Sequence, residues 1–138
     1  MKATIATALL AALISVPDAP ESLEAYRRKA MARDYGAQRN TAFCLRTGEC
    51  EGIFAPRMME ACVWRMVILG SGHREVDASD INNFRRECIL GLSDQERAVA
   101  TVQAEQLFKE IYNRELPLRT LLHPYLLSAD NLTLRLHE

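Results

Sequence analysis

The chain has 138 residues, 49% of them hydrophobic and 25% charged, with a formal net charge of −1. Such a length suits one domain able to bury a real core, and the composition is that of an ordinary globular protein. The charge balance excludes the basic footprint of a nucleic-acid binder. The short clusters Arg27-Arg28-Lys29 and Arg85-Arg86, with Glu24 and Glu87 close by, read as solvated helix faces.

The first residues differ from the rest. Lys2 precedes an uncharged run, Ala3–Val16, centred on Leu9, Leu10, Leu13 and Ile14 and broken by Pro17. That run fits the apolar region of a signal peptide and is too short for a stable membrane anchor. Residues 1–19 are therefore expected to be an export leader. Its cleavage site stays open, because Pro-Asp-Ala at 17–19 is a poor match to the small-x-small pattern.

Residues 20–116 read as about five helices, an all-α domain. The first is expected from Pro20 to Arg33, with Leu23, Ala25, Tyr26, Ala30 and Met31 as its apolar contacts. Asp34 suits the N-cap of the second, which carries Ala37, Ala42, Phe43 and Leu45 and stops at Gly48. A loop, Glu49–Ala55, follows. Pro56 is expected to open the third helix in its first turn. This helix is apolar almost all round, with Met58, Met59, Val63, Trp64, Met66, Val67, Ile68 and Leu69, and so must be covered on several sides. A fourth helix is expected from Ser79 to Leu90, buried through Ile81, Phe84, Cys88 and Ile89, with Gly91 as its stop. Ser93 and Glu96 form an S-x-x-E capping box for a fifth, whose expected apolar face is Val99, Val102, Leu107, Phe108 and Ile111. The tail, 117–138, is leucine-rich, and its end alternates Leu132, Leu134 and Leu136 with polar residues in a strand-like period.

Four cysteines, Cys44, Cys50, Cys62 and Cys88, follow the leader. An even count behind an export signal points to two disulfides. Their spacing contains no C-x-x-C knuckle, and His73, His123 and His137 form no ligand cluster, so no metal is expected. Met58, Met59 and Met66 beside Cys62 read as core filler. His73, after a helix-ending glycine, is expected to cap that helix or face solvent. The pairs Glu49/Glu51 and Asp77/Asp80 lie in a loop and at a helix start, where the helix dipole accounts for the second. No phosphate loop, H-E-x-x-H or G-x-S-x-G motif is present, and no catalytic residue or cofactor is expected.

The segment "AQRNTAFCLRTG" (37–48) resembles the first helix of a Sel-like repeat, a relative of the tetratricopeptide repeat. Ala37, Gln38, Asn40 and Gly48 stand at matching positions. Ala61 and Trp64 fit the A-x-x-W/Y pattern of the second helix, and Gly72-His73 is similar to its usual close. The likeness covers about 37–112 and departs from the pattern in its long, cysteine-bearing loop. It implies antiparallel helical hairpins in which Ala37, Ala42 and Ala61 permit close approach and Trp64 fills the space beside them. A single repeat cannot bury its own faces, so 20–33 and 80–112 are expected as caps.

If the third and fourth helices are antiparallel neighbours, Cys62 and Cys88 sit at similar heights, which favours Cys62–Cys88 with Cys44–Cys50. Cys44–Cys62 with Cys50–Cys88 remains the alternative. The resemblance further implies a scaffold that binds another protein, as exported members of the family do. One version is a periplasmic immunity protein against a secreted toxin; an envelope assembly factor or an enzyme with an unrecognised site are the others. Surface contacts are expected at Arg39, Arg46, Arg57, Glu60 and Arg65, with Tyr125 from the tail.

Overall fold

The computed structural model describes residues 21–117, so the expected leader and tail, including Tyr125, lie outside the described residues. The regular elements among these residues are all helical: α1 (Leu23–Met31), α2 (Tyr35–Thr47), α3 (Met58–Gly70), α4 (Ala78–Phe84), a π-helical turn (Arg85–Leu90) running on from α4, and α5 (Asp94–Tyr112).

Local chemistry sets most of these boundaries. Ser22 Oγ accepts from the Ala25 amide at 3.2 Å and starts α1 later than Pro20. Asp34 caps α2 through the Ala37 amide at 2.7 Å, and Gly48 ends it in the left-handed region. Helix α3 begins at Met58 and not at Pro56, because the Arg57 amide is turned back to the Leu45 carbonyl at 2.6 Å. Asp77 and Asp80 form a reciprocal capping box for α4, and Ser93 and Glu96 form one for α5. The expected regular fourth helix widens into the π-helical turn. Two carbonyls at its end are taken up by one side chain, as Arg97 Nε donates to Cys88 O at 3.1 Å and Nη2 to Leu92 O at 3.5 Å.

Helix α3 is the centre of the molecule. It packs against α2, α5, and α4 with its π-helical turn, while α1 lies on α2. Ala61 through Ile68 are all buried, as an all-round apolar helix requires. Ala37, Ala42, Ala61 and Trp64 are likewise core residues.

Two expectations about the core are corrected. Phe43, expected inside, is 46% exposed on the outer side of α2. The buried stripe of α5 is Ala100, Ala104, Phe108 and Ile111, while Val99 and Val102 face outward. Side chains as small as alanine let α5 lie close to α3 and leave Phe108 and Ile111 to fill the end of that interface.

The cysteines join as Cys44–Cys50 and Cys62–Cys88, with Cα separations of 5.2 and 5.0 Å. The first ties the α2–α3 loop to α2, and the second ties α3 to the π-helical turn. Such bridges persist in an oxidising, extracytoplasmic setting. No helix among the described residues is long and apolar enough to cross a membrane.

Candidate functional site

Two concave surfaces stand out on the helical body. The first is an open groove of about 610 Å³ on the side where α1 and α5 flank α3. Met59, Val63 and Trp64 of α3 form its floor, and Met31 and Leu107 supply apolar walls. Polar side chains ring it: Arg27, Glu60, Gln103 and Glu110. Arg27 Nη2 donates to Glu60 Oε2 at 2.6 Å, and Arg57 stands 3.6 Å from the other oxygen of that carboxylate. Glu60 and Arg57, two of the expected contacts, thus meet in one exposed ion-pair group. The lone tryptophan is buried at 5% exposure and still lines this groove, so its indole is both core and floor.

The second is a cleft of about 290 Å³ where α2 faces α4 and the π-helical turn. It gathers Arg39 and Arg46, which lie about two turns apart on α2, with Arg65 of α3 and Arg86 of the π-helical turn. Two fully buried carboxylates lie behind them. Glu87 receives Arg65 Nε at 2.5 Å and Nη2 at 3.3 Å, while Arg46 Nε stands 3.0 Å away, out of line for a hydrogen bond. Asp80 accepts from the Tyr35 hydroxyl at 2.6 Å and from the Asp77 amide at 3.1 Å, with Arg39 Nε at 3.2 Å. Burial, reinforced by that hydrogen bond to the Asp80 carboxylate, pushes the Tyr35 hydroxyl up to about 12. At the α4 N-terminus the Ser79 hydroxyl and amide hold the Asp77 carboxyl below its ordinary range.

Three expected contacts, Arg39, Arg46 and Arg65, therefore converge here, but Arg65 is not a surface residue. It is 3% exposed, because a guanidinium within the central apolar helix must find a buried countercharge, and Glu87 supplies it. Glu87 and Arg86 were hidden inside what reads as a solvated charge run. The available signal was position: Glu87 sits beside Cys88 and one turn after Phe84, on the buried side of its helix.

His73 does not cap α3. Its Nε2 lies 3.0 Å from the Tyr112 hydroxyl, which also accepts from Gln38 Nε2 at 2.9 Å. The Arg33 guanidinium lies over the Tyr112 ring and donates from Nε to Ile111 O at 2.9 Å. This network locks the α1–α2 turn and the segment after α3 onto the end of α5. Among the described residues, no three His, Cys, Asp or Glu side chains are grouped as a metal site. Compared with known proteins, the chain matches no family model, no curated protein and no solved structure.

Proposed function

We propose that this protein is an exported, disulfide-braced binding module that acts by docking another protein, in the manner of Sel-like repeat proteins. The observation that carries the reading is the open apolar groove over Trp64. An apolar floor with a charged rim is the anatomy of a protein interface, and aromatic and methionine side chains at its centre are the types that anchor partners. The occupant fitting it is an apolar stripe on a partner protein, with rim charges complementary to Arg27, Glu60 and Glu110. The leader-like N-terminus and the two disulfides support action in the periplasm.

The narrower version is an immunity protein that neutralises a toxin delivered to that compartment. The test is capture from envelope extract by the oxidised protein, compared with Leu107→Glu. A charge placed in the groove wall is expected to abolish retention of the partner while the Tm stays within a few degrees. Retention by both forms, or by neither, would refute the groove as the docking surface. Protection of cells co-expressing a toxin encoded beside this gene, lost in Leu107→Glu, would support the immunity version.

A further inference from the structure

The arginine cleft is separate from the groove and is built differently. Its carboxylates, Asp80 and Glu87, have fully buried side chains, whereas the side chains of Arg39, Arg46 and Arg86 are 36%, 28% and 53% exposed. A molecule approaching this face meets guanidinium groups in front of carboxylates that are already engaged. Two exposed acids lie close by: Asp77 at the α4 N-terminus near Arg39, and Glu75, whose carbonyl accepts from the Tyr35 hydroxyl at 3.0 Å. The cleft wall itself carries four arginines and no carboxylate, on a chain whose net charge is −1.

The two α2 arginines are held in place before any ligand arrives. Arg39 is fixed by Asp80, by donation of Nη2 to Ser79 Oγ at 2.9 Å, and by the Tyr35 ring 5.5 Å away. Arg46 is fixed by Glu87 through its Nε side and by the Phe43 ring at 5.4 Å. Among the described residues, both terminal nitrogens of Arg46 and Nη1 of Arg39 make no hydrogen bond. A guanidinium braced on one side, with its remaining N–H donors unused, loses little freedom when it takes up a carboxylate.

We propose that this cleft recognises carboxylate side chains of an acidic segment on the partner protein. The proposal rests on the binding-module reading and names the chemistry of its partner. Exposed Phe43 beside Arg46 favours a peptide over a free anion, because it offers apolar contact that an inorganic anion would not use. Asn40 and Asn83, also in the wall, can serve a peptide backbone with both donors and acceptors.

The experiment is titration of the full oxidised protein with fluorescein-labelled hexaglutamate at low ionic strength, read by anisotropy, with inorganic phosphate as competitor. Saturable binding is expected, weakened on the order of tenfold or more by Arg46→Gln and by Arg39→Gln, and unchanged by Arg28→Gln on the exposed face of α1. Arg46→Gln removes one countercharge from Glu87. Arg86→Gln, at a more exposed position, therefore provides a second variant with an expected loss of a few fold. Phosphate at equal charge is expected to compete weakly. Absence of saturable hexaglutamate binding, an equal loss in Arg28→Gln, or equally tight phosphate binding would overturn the proposal. Partner capture is read separately through Leu107→Glu. A protein that binds hexaglutamate but captures no partner refutes the groove alone, and one that captures a partner but ignores hexaglutamate refutes the cleft alone.

Discussion

Arg65 and Glu87 face each other in the interior, the guanidinium of α3 donating twice to a carboxylate of the π-helical turn that solvent does not reach. An ion pair with both partners buried repays its desolvation only while both are present. Glu87→Ala is therefore expected to cost about 3–5 kcal/mol, because it leaves Arg65 charged and uncompensated. Arg65→Met combined with Glu87→Leu should recover much of that loss. Urea unfolding of the single and double variants measures the coupling, and additive losses would show that the pair does not act as a unit.

The two disulfides differ in exposure and in the loop each closes. Cys62 and Cys88 are both fully buried and 26 residues apart, whereas the Cys44–Cys50 bridge spans 6 residues and Cys50 is partly accessible. Graded thiol treatment of the folded protein should open Cys44–Cys50 first, as followed by alkylation and peptide mapping. Loop entropy adds the complementary expectation: losing Cys62–Cys88 costs about 3.5 kcal/mol and losing Cys44–Cys50 about 2 kcal/mol, both before any strain. The reverse order of reduction would mean that the buried bridge opens by local unfolding.

Tyr35 links the cleft to alkaline stability. Its hydroxyl is pushed up to about 12 in the fold, above the ordinary 10. Between those values the unfolded chain has lost a proton that the folded chain keeps, so stability falls as pH rises through this window and is fully present below it. Absorbance titration should show a late tyrosine step, and Tyr35→Phe should remove that step and flatten the stability loss. A late step that survives in Tyr35→Phe would assign it to another ring.

Legibility in the sequence followed the range of the interactions. The caps at Asp34, Gly48 and Ser93 act within one turn, and each is readable from a few neighbouring residues. The central place of α3 was equally open, because an all-round apolar helix has only one way to avoid water. The stripe of α5 was not. Hydrophobicity favours Val99 and Val102, but a neighbour lying as close as α3 selects Ala100 and Ala104. The Arg65–Glu87 pair was hidden because its members are 22 residues apart and each, taken alone, looks like a surface charge. The cleft was half visible: the spacing of Arg39 and Arg46 on α2 shows a shared face, but only the tertiary packing of α4 brings Arg86 to it.

Two glycines with left-handed backbone give a controlled comparison of what closes the α2–α3 connection. Gly48 has φ +69° and Gly52 φ +88°, so alanine at either position carries a backbone penalty of roughly 1–2 kcal/mol. Their surroundings differ. A Cβ at Gly48 would lie 2.7 Å from both the Ala55 carbonyl carbon and the Pro56 nitrogen, which are backbone atoms with no rotamer to change. At Gly52 it would meet nothing within 4 Å. Gly48 also donates its amide to Cys44 O at 2.8 Å, so any shift there pulls on the end of α2 that carries the Cys44–Cys50 bridge. Gly52→Ala is thus expected to lower the Tm by the backbone cost alone, about 4–8 °C per kcal/mol for a domain of this size. Gly48→Ala should lower it clearly further and move the start of α3. Thermal unfolding of both variants decides the matter: equal Tm losses would mean that the loop yields around position 48, and that the close approach of Ala55 and Pro56 to α2 does not hold the hairpin shut.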